Sequence, residues 1–111
     1  MRVMIYAFRV AGVTFEGRQK PIAWAAGTFK HDRRWVVPFM QAEPDNPHDP
    51  HAIAVYLFVW SQPHWRKIKV GYVPRDMTAS VRAHMPNIKW VSAEFSYQGA
   101  FGIGITYEVG E

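Results

Sequence analysis

The chain contains no cysteine, which excludes a disulfide framework, a thiolate metal site and a cysteine nucleophile, and makes a reducing cytoplasm the expected compartment. Long apolar runs are also missing near the start. Val3–Phe8 is a stretch of six residues between Arg2 and Arg9, far short of the ~20 needed to cross a bilayer. No small-residue cleavage site follows it, so neither a membrane span nor a signal peptide is expected. There is no internal repeat, low-complexity tract or linker.

Acids are scarce in the second half. Between residues 50 and 93, Asp76 stands alone against Arg66, Lys67, Lys69, Arg75, Arg82 and Lys89, while the whole chain carries a formal net charge of +4. A basic face compatible with a polyanion is therefore expected to be built from this region.

The familiar patterns of catalysis are absent too. Gly99, Gly102 and Gly104 follow no strand-to-helix pattern that would cradle phosphates, and no Ser/His/Asp or paired-carboxylate arrangement is visible. Asp45, His48, Asp49 and His51 could offer oxygen and nitrogen ligands to Mg²⁺, Mn²⁺ or Zn²⁺. Three prolines explain that segment as a turn, however, and no distant residue is marked to complete a shell. Neither enzymatic activity nor a cofactor is expected.

What is present is apolar and aromatic: 49% and 15% of 111 residues, enough for one core and a single domain over residues 1–111. Residues 2–10 alternate with period two, Val3, Ile5 and Ala7 on one face and Met4, Tyr6, Phe8 and Val10 on the other, and read as a strand. Residues 18–26 read as a short helix with Pro21 in its first turn and Gly27 closing it. Residues 35–41 have strand composition, with Pro38 arguing for an edge or a bulge.

Glu43–Pro50 packs three prolines and three Asx residues into a turn. Strands are expected over 51–60 and 68–73, paired as a hairpin across a polar 61–67 link. An amphipathic helix over 75–85 follows, with Met77, Val81 and Met85 on one face. Strands over 89–97 and 103–109 flank a glycine turn. The fold class is mainly β with two short helices, the strand spacing suggesting a small, closed or partly open, six-stranded barrel.

Three segments carry a family resemblance. They are Val10-Ala-Gly-Val-Thr-Phe-Glu-Gly-Arg-Gln19, Glu43-Pro-Asp-Asn-Pro-His-Asp-Pro-His-Ala-Ile-Ala-Val55 and Lys69-Val-Gly-Tyr-Val-Pro-Arg-Asp-Met77. In this order they resemble the HIRAN domain, in the stand-alone form found in bacteria and phages, and the middle segment is the most distinctive. The resemblance implies an OB-like barrel that binds single-stranded DNA, in some members at its free 3′ end, as an accessory to DNA repair or replication beside a helicase or nuclease.

It further implies a stacking role for Phe15, contacts to the terminal nucleotide from Asn46 and Asp49, and a backbone contact from Arg75. Thr14, Glu16, His48 and Tyr72 depart from the residues usual at those positions in end-binding members. Read from the residues alone, Phe15, His48, Tyr72, Trp65 and Phe101 lie at loops or strand ends beside Arg18, Arg66, Lys69 or Arg75. That is the mixture of rings and cations that single-strand binding needs.

Each feature has a plainer reading as well. Most rings of a small domain fill its core, as expected for Trp24, Trp60 and Trp90, and Asx side chains often cap their own turn. Lys69 and Arg75 are expected to matter to binding and little to stability. The alternative function is a protein-interaction or self-association module on the same barrel, without DNA binding.

Overall fold

The computed structural model describes residues 2–15 and 17–110. Alternating apolar residues make six strands. They are β1 (Val3–Arg9), β2 (Val36–Ala42), β3 (Ile53–Ser61), β4 (His64–Tyr72), β5 (Ile88–Tyr97) and β6 (Phe101–Gly110), with helices α1 (Gln19–His31) and α2 (Thr78–His84) between them. In β3 the odd positions Ile53, Val55, Leu57 and Val59 are fully buried, while Tyr56, Phe58 and Trp60 are half-buried on the opposite face. This is the signature of an antiparallel sheet with one face on the core.

The strands pair antiparallel as β1-β6-β5 and β2-β3-β4. Their inner faces meet through Val55, Leu57, Val59, Ile103, Ile105 and Tyr107, with Ile22 and Ala25 of α1 and Val81 of α2 completing the core. The buried Tyr107 hydroxyl is satisfied at 2.9 Å by Nδ1 of His84, so it carries no unpaired-polar penalty. No helix is long and apolar enough to cross a membrane among the described residues.

The expected six-stranded OB-like barrel is corrected to two three-stranded sheets, with no closed barrel among the described residues. One side is stitched by a two-bond bridge: Ala11 N donates to Tyr72 O at 2.8 Å and Tyr72 N to Ala11 O at 2.9 Å. On the other side β2 and β5 approach without a backbone ladder. Pro38, on edge strand β2, has no N–H to contribute to one.

The first helix does not stop at Gly27 but runs on to His31. Gly27 has ordinary helical space around it and no positive φ, so it only weakens the helix, by about 1 kcal/mol. The 61–67 link is mostly strand, because β4 begins at His64 and its polar half lies exposed. The second helix is divided: a 3₁₀ turn at Arg75–Met77, then α2, then a second 3₁₀ turn at Met85–Asn87 that accommodates Pro86. Trp24 and Trp90, expected to pack inside, are 39% and 42% exposed, and only Trp60 is half-buried.

Candidate nucleic-acid interface

The Ala11–Tyr72 bridge holds the loop after β1 against the end of β4. The loop is shaped by Gly12, whose φ of +78° is left-handed and whose carbonyl accepts from Arg18 Nη1 at 2.9 Å. The Arg18 guanidinium therefore lies over two rings at once, 5.1 Å from the centre of Phe15 and 5.4 Å from that of Tyr72. Gln19 fastens the other end: its amide donates to Val13 O at 3.0 Å and Phe101 O at 2.9 Å and accepts from Phe101 N at 2.7 Å.

Opposite stands the proline-rich turn. Asn46 Oδ1 accepts from the backbone N–H groups of His48 and Asp49 at 2.9 and 3.0 Å, and Asp49 Oδ1 from His51 N at 2.8 Å, two Asx turns in succession. Between turn and strand sits Glu43. It accepts from Lys69 Nζ at 2.6 Å, Tyr72 Oη at 2.9 Å and Asn46 Nδ2 at 3.0 Å, and Lys69 Nζ also donates to Tyr72 Oη at 3.1 Å.

Partial burial pushes the Glu43 carboxyl up, but the bonds from Lys69, Asn46 and Tyr72 outweigh it and hold the pKa below its ordinary 4.5. For Lys69, burial pushes down, and Glu43 and Tyr72 pull the ammonium above 10.5. The two shifts agree in sense: the ion pair is the favoured state.

The walls enclose a cleft of about 460 Å³ lined by Phe15, Arg18, Asn46, His48, Asp49, Tyr72 and Arg75. Of the eleven residues named for the site in the sequence, seven thus share one concavity. Phe15 is 55% exposed, and Tyr72 is half-buried with its ring against Arg18. Lys69 lines an adjoining cleft of about 550 Å³ with Asn46, His48 and Tyr72.

Geometry revises two roles. Lys69 is a partner of Glu43 rather than a free cation, so its substitution is now expected to cost stability as well as affinity. Asn46 has both its amide oxygen and its NH₂ engaged by the turn, Glu43 and Tyr72 (Nδ2 to Oη 3.4 Å), which makes it the keystone of the loop. Thr14 is exposed on the loop rim, and Glu16 lies outside the described residues. Trp65 and Phe101 do not line this cleft. No three histidine or carboxylate side chains converge to hold a metal among the described residues.

Sequence reasoning missed Glu43 and Gln19 as site builders. The signal for Glu43 was its place at the mouth of the turn, but its partner lies 26 positions on.

Fold and cleft together define a class, a small mainly-β binding module that gathers rings and cations on one groove. The chain belongs to the HIRAN domain family, whose family model matches residues 28–98, more than half its length. HIRAN domains are modules that bind single-stranded DNA. The match takes in the proline-rich turn, β4 and Arg75, while Phe15 and Arg18 precede it. No curated protein and no solved structure matches the chain.

Proposed function

We infer that this chain binds single-stranded DNA at a free 3′ end in the cleft between the Phe15 loop and the proline-rich turn. The observation that carries the reading is that seven side chains from three distant segments line that one concavity. A terminal base would lie against Phe15, with Arg18 and Tyr72 behind it. Each such stack is worth about 1–3 kcal/mol. The Asp49 carboxylate accepts a hydrogen bond from a 3′-hydroxyl and repels a 3′-phosphate.

Arg75, exposed at the rim, meets the preceding phosphate. His48, also exposed there, is an adaptable wall. In this reading the protein is a binding module rather than an enzyme, working in the cytoplasm beside a helicase or nuclease in DNA repair or replication.

Fluorescence anisotropy with short oligothymidines tests this directly. A 3′-hydroxyl strand should bind more tightly than its 3′-phosphate counterpart, and Asp49→Asn should narrow the gap. Arg75→Ala should reduce the slope of log K against log salt by about 0.7, one phosphate on a single strand. Equal affinity for both ends would remove end recognition, and no binding at ~50 mM salt would remove DNA binding altogether. Self-association, the second reading, is favoured by the exposed Val3, Met4 and Ile5 on edge strand β1. It predicts a dimer by sedimentation whether or not DNA is present.

A further inference from the structure

The face of the β2-β3-β4 sheet turned away from the core is unusually aromatic. Cross-strand register lines up Phe39, Tyr56 and Lys69 in one row and Val37, Phe58 and Lys67 in the next, with Trp60 opposite Trp65 beyond them. Phe39 is 38% exposed and Trp65 48%. The rings form a floor in two clusters: Phe39 lies 6.3 Å from Tyr56 and 5.7 Å from Phe58, and Trp60 lies 5.5 Å from Trp65. Exposed apolar surface of this kind marks a contact site.

Charge says what it contacts. Lys67 Nζ stands 4.3 Å from the centre of Tyr56 and 5.8 Å from that of Phe39. One of its N–H groups goes to Gln41 Oε1 at 3.2 Å, which leaves two for an anion. The three strands place no carboxylate on this face; Glu43 lies at its end, already paired with Lys69. Flat rings with cations above them and no acids fit a polyanion that has flat apolar bases, and fit an acidic or neutral protein surface less well.

The floor is also continuous with the cleft. Lys69 Nζ lies 5.8 Å from the Tyr56 ring and 5.1 Å from the Tyr72 ring, and the 550 Å³ cleft that holds Gln41, Lys69 and Tyr72 reaches Asn46 and His48.

We propose that this sheet face is a second stacking surface for single-stranded DNA. It takes the nucleotides that precede the one in the cleft, with bases on Phe39 and Tyr56 and a phosphate at Lys67. This rests on the end-binding reading above, and the test separates the two. Anisotropy competition compares 3′-hydroxyl oligothymidines of three and twelve nucleotides on the whole chain.

The combined change Phe39→Ser with Lys67→Gln is expected to weaken the 12-mer about tenfold and to leave the 3-mer, which fills only the cleft, within about twofold. Lys67→Gln alone touches no buried group. It should leave the melting temperature unchanged and lower the 12-mer's salt slope by about 0.7. Unmutated affinity for the 12-mer in both variants overturns the second surface and leaves the cleft standing. A wild-type dimer that the double variant turns into monomer assigns the face to a second copy and also overturns it. Failure of both lengths to bind the unmutated protein overturns the end-binding reading and this one with it.

Discussion

Gly71→Ala should destabilise the protein by about 3 kcal/mol or more and abolish binding along with it. A Cβ at this position would collide with the backbone carbonyl of Ala11 and lie 2.6 Å from Val10 Cγ1, and neither is the free end of a flexible side chain that could swing aside. Relief requires the loop after β1 to move away from β4, which breaks the two-bond bridge between Ala11 and Tyr72. Overpacking against backbone belongs to the severe class of single substitutions.

Calorimetry should show a fall in melting temperature of roughly 13 °C or more. Oligonucleotide binding should be lost even well below the new transition, because the Phe15 and Tyr72 walls are no longer held together. A variant that melts normally and binds normally would show that the two sheets are not joined through this contact.

The second large effect concerns Glu43. Its carboxylate and the Lys69 ammonium are 20% and 32% exposed, so solvent screens the pair and tempers the penalty for breaking it. Glu43→Ala should cost about 1–3 kcal/mol, since it strands Lys69, Tyr72 and Asn46 at once. Glu43→Gln keeps an acceptor and should cost less.

The pH dependence distinguishes charge from shape. The Glu43 pKa is lowered in the folded state, so its contribution is complete above the ordinary value of 4.5 and disappears as pH falls through the folded value. The Lys69 pKa is raised, so its contribution is complete below 10.5 and disappears as pH climbs past that point. The stability difference between wild type and Glu43→Gln should therefore be flat from about pH 5 to 10 and shrink at both extremes. A difference that does not change below pH 4 would mean that the pair adds nothing through its charge.

Much of this was legible in the sequence because it depends on short-range periodicity. The alternation over residues 2–10 announced β1, though on the face shared by Met4, Tyr6, Phe8 and Val10 only Phe8 and Val10 are buried and Met4 stays exposed. Pro38 announced an edge, and β2 is one. Met77, Val81 and Met85 announced the core-facing side of the divided second helix, where Val81 of α2 is buried and the two methionines, in the flanking 3₁₀ turns, are half-buried against the core. Of the cleft residues, Phe15, Asn46, Asp49 and Arg75 were expected from the family resemblance, while rings and cations at loop ends pointed to His48, Tyr72 and Arg18 in the cleft but also to Trp65 and Phe101 outside it.

What could not be read depends on long-range geometry. Whether six strands close into a barrel is decided by ladders between edges, and no local pattern shows that β2 and β5 approach without pairing. The exposure of Trp24 and Trp90 reflects which flank of α1 and β5 remains uncovered, a property of packing. Gly27 misled because a glycine that ends a helix and one that merely weakens it look alike until φ is known. Lys69 looked like a surface cation because the carboxylate that claims it arrives from the far end of another strand.

The bridge at Ala11 also decides how the cleft breathes. Strand β1 pairs with β6 in a register that sets Val3 opposite Gly110, the least local pairing in the chain and so the one with the largest closure entropy. Strands β2, β3 and β4 are joined by nearer neighbours in sequence. The Phe15 wall hangs from β1 and the Asp49 wall from β2 and β3, so we expect the two sides of the cleft to open as separate units of the native state.

The Ala11 N–H bonds to Tyr72 O across the two units, so its exchange should be at least as fast as the faster of Phe8 and Leu57. A bound strand spanning both walls should slow exchange in the two units together. Exchange that stays independent in the two units with ligand bound would mean that the ligand rests on one wall alone.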